Sequence, residues 1–154
     1  ATDEVFQAFM GSAQDNLHYN SVSTFGGHAG ACAAGLANIE IFERERLWEN
    51  AREVGGYLLD ILKGLESLPI VGEVRGKGLI IGIELVKEGK APLSGAEMKL
   101  LRNRLMEEGL ILFAIPAPTY SVLGLSPPLI LTRGEADTIA QTLEKVITQF
   151  SAQN

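Results

Sequence analysis

Cysteine, histidine and aromatic residues are scarce in this chain, and each scarcity closes off a class of chemistry. Cys32 is the only cysteine among 154 residues, so no internal disulfide can form. It lies in a run of small residues, where a lone thiol is expected to pack as a small apolar group. No neighbouring residue looks like the base a catalytic thiol needs. The two histidines, His18 and His28, lack the spacing of a metal site, so none is expected. Aromatic residues make up 6%, the net charge is −6, and no basic run or basic–aromatic stripe occurs, which argues against nucleic-acid binding. The acidic excess is read as serving solubility, with lysines and arginines mixed among the acids along the helices. No apolar run approaches the roughly 20 residues of a membrane span, and no charged-then-apolar leader is seen, so a cytoplasmic protein is expected.

What is present includes 17 glycines and a 46% share of hydrophobic residues, enough for one ordinary domain or a large piece of a bigger one. The most distinctive stretch is His18–Gly35, HYNSVSTFGGHAGACAAG. It breaks at Gly26-Gly27 and continues as a run of small residues. A helix beginning after such a turn presents unpaired N–H groups, a ready site for phosphate or carboxylate, and Ser23 and Thr24 add hydroxyl donors. An ordinary helix cap followed by a buried small-residue helix explains the same pattern. The sequence by itself leaves both open.

Taken in order, residues 1–9 read as a short helix capped by Thr2 or Asp3, with Val5, Phe6 and Phe9 on one face. That helical start, without a methionine, suits a chain cut from something longer. Gly11–Asn20 reads as a loop. A largely buried helix is expected over about His28–Glu43. An amphipathic helix follows over Arg44–Glu66, with Leu47, Ala51, Val54, Leu58, Ile61, Leu62 and Leu65 inward. Gly55-Gly56 weakens that helix and implies close approach of a neighbour.

Val71–Val86 reads as a strand pair turning at Arg75-Gly-Lys-Gly78. A strand follows that Gly-x-Gly, so it is not a dinucleotide loop. Arg75 is open to two readings, as an anion binder or as a partner of turn carbonyls or a nearby carboxylate. Ser94 caps a helix over Gly95–Glu108 that buries Met98, Leu101, Leu105 and Met106 and ends at Gly109. Leu110–Phe113, Val122–Leu125 and Leu129–Leu131 are strand candidates, and Ile115–Pro118 is expected to be a loop. Thr132 and Glu135 form a capping box for a final helix, Arg133 to about Phe150. The order implies an α+β fold with a small, mostly antiparallel sheet covered by helices. The domain boundary is placed at 1–43 and 44–154.

Neither a nucleophile–base set nor a metal cluster emerges, and none of the six lysines has the desolvated setting of a Schiff-base lysine. No catalytic residue is assigned. Taken alone, the residues give an anion corner without a complete active site.

Three blocks nevertheless carry a resemblance. SVSTFGGHAGACAAGLANIEIFERE resembles the segment of class III (omega) aminotransferases that follows their catalytic-lysine loop. VGEVRGKGLIIGIELV and LSPPLILTRGEAD are similar to the same family's later blocks, in order and at fitting distances, and ATDEVFQAF resembles the stretch just after its lysine strand. The resemblance implies a fold type I enzyme using pyridoxal 5'-phosphate, usually a homodimer. Such enzymes move an amino group between an amine or amino acid and a 2-oxo acid or aldehyde. Residues 1–43 would then close the large domain, and 44–154 would form the C-terminal small domain. The resemblance places Thr24 at the threonine that binds cofactor phosphate in the partner subunit's site, and Ser23 at the supporting position beside it. It gives Arg75 a structural role.

The same resemblance exposes departures. The family's Schiff-base lysine lies upstream of the position matching Ala1, so the chain alone is expected to be inactive and not to hold the cofactor. Many relatives place a carboxylate-binding arginine after the strand matching Leu110–Leu112, where this chain has Phe113 and a longer run to Pro127. An apolar or amine-type substrate is one consequence. The usual proline after the histidine is Ala29 here. A mutase or decarboxylase on the same scaffold fits this half equally, and a stand-alone α+β interaction or ligand-binding module is the competing reading from another class.

Overall fold

The computed structural model describes residues 2–11, 14 and 23–153. The chain forms two compact units, Ala1–Ile41 and Phe42–Asn154.

In the first unit, helix α1 spans Asp3–Gln7, and the Thr2 hydroxyl accepts from the Val5 N–H, with Asp3 and Glu4 in the first turn where they suit the helix dipole. Most of the expected Gly11–Asn20 loop lies outside the described residues. Helix α2 spans Ala29–Arg44 and continues past the unit boundary. Its expected burial is not found. No residue of α2 is buried, and Leu36 and Ile39 are more than half exposed. Its alanines and glycines make it smooth, and the covering surface that its apolar side chains require is not supplied by the described residues.

The second unit opens at a break in the helix. Arg46 adopts φ 50°, ψ 44°, a left-handed conformation that no continuous helix tolerates, and α3 runs from Leu47 to Leu62. The expected single helix to Glu66 thus starts later and ends as a tighter 3₁₀ turn over Lys63–Ser67. Across the break, the rings of Phe42 and Trp48 meet with centroids 5.3 Å apart and planes tilted by 39°. Val54, Leu58, Leu62 and Leu65 are buried as the periodicity requires.

Strands β1 (Val71–Lys77) and β2 (Ile80–Leu85) form the expected hairpin, but its turn is tighter than the Arg75–Gly78 reading. Lys77 pairs with Ile80, which leaves Gly78 and Leu79 as the two-residue loop, with Gly78 at φ 57°. A Cβ on Gly55 would lie 2.3 Å from the Gly78 carbonyl carbon and oxygen, so the expected close neighbour of α3 is this turn. The Val74 N–H, on β1, donates to Glu66 Oε1 at 2.8 Å.

Helix α4 (Gly95–Glu107) is closed at its start by a reciprocal capping box, with the Ser94 hydroxyl taking the Glu97 N–H and the Glu97 carboxylate taking the Ser94 N–H. Met98, Leu101 and Leu105 are buried, whereas Met106 is 54% exposed and faces outward. Gly109 ends the helix at φ 84°.

Of the three later strand candidates, Val122–Leu125 is found and the other two depart from the sequence reading. Strand β3 is Phe113–Pro116, not Leu110–Phe113, and it includes two residues of the expected loop. It lies at the sheet edge, the one place where a proline's missing N–H costs the ladder nothing. Strand β4 (Ser121–Leu125) joins β3 to β2, giving the order β1-β2-β4-β3 with every pairing antiparallel. Leu129–Leu131 is not a strand. Pro127 and Pro128 precede it without N–H groups, and Asn50 Nδ2 donates to the Leu129 and Leu131 carbonyls at 2.7 and 3.0 Å instead. Helix α5 (Arg133–Ser151) starts from the Thr132–Glu135 capping box and buries Ala136, Leu143, Val146, Ile147 and Phe150.

Ile81, Ile83, Leu85, Leu123 and Leu125 meet the buried faces of α3, α4 and α5 in one core. The result is the expected α+β fold, an antiparallel sheet with helices packed on one face.

Candidate functional site

The Ser23–His28 corner is built by two successive turns. The Gly26 N–H donates to the Ser23 carbonyl at 3.0 Å, and the His28 N–H donates to the Phe25 carbonyl at 3.2 Å. Gly27 stands at φ 78°, a left-handed conformation that glycine adopts without strain. The chain then enters α2, where His28 Nδ1 accepts the Ala31 N–H at 3.3 Å and the His28 carbonyl accepts the Cys32 N–H at 2.9 Å. His28 is therefore the helix cap, in the place usually taken by a serine or aspartate.

Ser23 and Thr24 are both exposed on this corner. Among the described residues, neither the Thr24 hydroxyl nor the Thr24 and Phe25 N–H groups have a partner. The set consists of neutral donors without a carboxylate, the chemistry that an anionic phosphate oxygen accepts. These residues fit the phosphate of a cofactor.

Elsewhere the polar groups are engaged in the fold. Arg75 Nη1 donates to Glu73 at 2.7 Å and to Glu84 at 3.3 Å, so nearby carboxylates rather than turn carbonyls hold it. The hydrogen bond to Glu73 is the main reason its guanidinium is raised above its ordinary value. Lys87 reaches Glu97 at 2.7 Å. That bond, with those from the Ser94 hydroxyl and N–H, lowers the Glu97 carboxyl from 4.5 to about 2. Cys32 is exposed rather than packed, and His18 lies outside the described residues. Among the described residues no group of three His, Cys, Asp or Glu side chains could hold a metal ion, and no helix is long and apolar enough to cross a membrane.

Three polar residues absent from the sequence reading tie distant segments together. The Tyr57 hydroxyl donates to Asp137 at 2.5 Å, with Arg133 5.1 Å above the ring, and the Asp137 bond raises the phenol above its usual value. Ser121, fully buried, donates to the Leu85 carbonyl at 2.6 Å and accepts from the Leu93 N–H at 2.9 Å. Asn50 clamps the loop after Pro128. Each partnership crosses 28 to 81 residues, so no local pattern signals it. Phe113, the candidate substrate-facing residue, is exposed at the start of β3.

The aminotransferase class-III family model matches residues 1–147. The chain is 39% identical over 155 aligned residues to a taurine–pyruvate aminotransferase of Bilophila wadsworthia, covering 96% of this chain and 34% of that protein. It is 44% identical over 132 residues to acetylornithine aminotransferase 1 of Bordetella bronchiseptica, covering 85% of this chain and 30% of the relative. A solved aminotransferase of Bacillus anthracis superposes with a TM-score of 0.80 at 35% identity, covering 97% of this chain and 34% of that structure. The chain thus spans about a third of the length of the proteins it matches. With the model matching nearly end to end, and the sheet and helices superposing on a solved member, the chain belongs to the class-III aminotransferases.

Proposed function

We propose that this chain forms the C-terminal third of a pyridoxal-phosphate-dependent transaminase and supplies the clamp for the cofactor's phosphate. The observation that carries the reading is the family match over residues 1–147, with Ser23 and Thr24 exposed as donors on the turn before α2. Residues 1–43 are the end of the large domain and 44–154 the small domain. In a homodimer, Thr24 would donate its hydroxyl and N–H to phosphate oxygens in the partner's site, and Ser23 would support the same phosphate. The Schiff-base lysine comes from an upstream segment, so these 154 residues do not run the reaction by themselves.

Bound there, the cofactor supplies an electron sink for the carbon bearing the amino group. This chain's part is positional. The Thr24 hydroxyl and the fixed N–H groups of the turn would hold the cofactor's phosphate in place, which is the positioning that productive geometry demands. The amino group passes between an amine or amino acid and a 2-oxo acid or aldehyde. Phe113 offers an apolar surface and no charge for a carboxylate, which favours an amine-type donor. The two relatives are named for different substrates, taurine with pyruvate and acetylornithine, so their names do not choose between donors.

Cofactor titration of the full-length gene product tests this reading. A hydrogen bond to a charged group is worth about 1.5–3 kcal/mol, so Thr24→Val is expected to weaken cofactor affinity about 10- to 100-fold. A full-length product that takes up no pyridoxal phosphate, or a variant that binds it as well as the parent, would overturn the proposal.

A further inference from the structure

One end of the sheet holds a cavity that the fold leaves unfilled. β1 starts and β2 ends there, since Val71 pairs with Leu85, and the Val86 N–H donates to the Ile70 carbonyl at 2.8 Å. The loop after β2 brings Lys87 and Glu88, the approach to α4 brings Leu93, α4 itself brings Glu97, and the end of α5 brings Phe150 and Ser151. They line a hollow of about 330 Å³. That volume stands at the lower end of the roughly 300–1,000 Å³ of small-molecule sites, so its occupant is small.

Ile70, Val86, Leu93 and Phe150 make its walls apolar, and Leu93 and Phe150 are almost fully buried. The charged groups of the lining are Lys87, Glu88 and Glu97. Lys87 is bound to Glu97 Oε2 at 2.7 Å, and the Ser94 N–H and hydroxyl donate to that same oxygen. Glu97 Oε1 and the Glu88 carboxylate have no partner among the described residues. α5 ends here without a basic residue in its last turn, and its dipole adds partial negative charge. Arg104, the cation beside that end, lies over the Phe150 ring and is held by Gln153 at 2.7 Å. The lining thus carries two carboxylates against one ammonium that is already bound.

That balance selects a cation. An anion would meet repulsion from both carboxylates and find its one counter-charge taken. A neutral apolar molecule would cover the walls and leave the free carboxylate oxygens without a donor. A compact apolar body carrying a primary ammonium satisfies both parts, the body against the walls and the three N–H donors toward Glu88 and Glu97 Oε1. We infer that this cavity is a binding site for a small apolar amine. The inference rests on the lining of the cavity and not on the cofactor reading.

Benzylamine, a cation at neutral pH, is the probe, with benzyl alcohol and benzoate as its neutral and anionic counterparts. Methyl NMR is recorded on the 154-residue chain and on the full-length gene product freed of cofactor. In both, the Ile70, Val86 and Leu93 methyls should shift saturably with about millimolar affinity for benzylamine. The alcohol and the carboxylate should bind at least about fivefold more weakly. Glu88→Gln and Glu97→Gln should each weaken benzylamine about 3- to 10-fold, and glutamine at 97 keeps the capping box with Ser94. Ser151→Trp, which fills the hollow from the end of α5, should abolish the response while the remaining methyls keep their positions. Equal binding of the three probes, full affinity in both glutamine variants, or shifts confined to other methyls would overturn the inference. So would a full-length product in which these three methyls do not respond. Neither titration involves cofactor, so a failed cofactor uptake leaves this result intact.

Discussion

Adjacent glycines in α3 should respond to the same substitution with opposite signs. In a helix interior, replacing glycine by alanine gains about 1 kcal/mol from backbone entropy and propensity. Gly56 has nothing within 4 Å of an added Cβ, so Gly56→Ala should stabilise by roughly 0.5–1 kcal/mol. At Gly55 the added carbon would sit 2.3 Å from the carbonyl carbon and oxygen of Gly78 and 2.8 Å from its Cα. Carbon atoms prefer about 3.5–4.0 Å, so the helix and the hairpin turn must separate by roughly 1 Å. Both sides are backbone, and no rotamer change relieves the overlap. Overpacking costs about 1–3 kcal/mol, and an overlap with backbone on both sides belongs to the upper part of that range, about 2–3 kcal/mol, so subtracting the propensity gain of about 1 kcal/mol leaves a net loss of about 1–2 kcal/mol. For a chain of this size that corresponds to a Tm lower by roughly 2–8 °C. Urea unfolding with unchanged m-values would report the difference as a shift of midpoint alone. If Gly55→Ala stabilises as much as Gly56→Ala, the close packing of α3 on the β1–β2 turn is wrong.

Three further outcomes are expected. Ser121→Ala leaves the buried Leu93 N–H and Leu85 carbonyl without their shared hydroxyl, and should destabilise by about 1–3 kcal/mol in chemical unfolding. Glu97 has a carboxyl lowered from 4.5 to about 2 in the folded chain, so its contribution is full above pH 4.5 and is lost as pH falls through 2. Glu97→Gln should flatten the acid side of the stability profile across that window, and an unchanged slope would refute it. Thr24→Val should weaken cofactor binding in the full-length product without lowering its Tm in the cofactor-free state, since among the described residues the Thr24 side chain has no partner to lose.

Local signals in the sequence carried over into the fold wherever a residue's partner is near in the chain. The Ser94–Glu97 and Thr132–Glu135 boxes, Gly109 at the end of α4 and the inward faces of α3 and α5 follow from spacings of three and four residues. The fold departs from the sequence pattern where distant residues decide. Asn50 takes both carbonyls that a strand at Leu129–Leu131 would have offered a neighbour, and β3 slides to Phe113–Pro116 because an edge tolerates Pro116. Helix α2 carries apolar residues over much of its surface, yet burial also needs a covering surface. The donor corner at Ser23 and Thr24 was visible as a glycine break after hydroxyl residues. Its assignment to phosphate rests on the family resemblance, since a turn of donors does not name its anion.

The bond from the Val74 N–H to Glu66 has a consequence for solubility. β1 is an outer strand, and an outer strand with open N–H groups invites another chain to continue the sheet. Here a carboxylate from the preceding 3₁₀ turn occupies that donor and sets a negative charge beside it, while at the opposite margin Pro116 has no N–H to offer. Strand addition is discouraged at these two points of the sheet's margins.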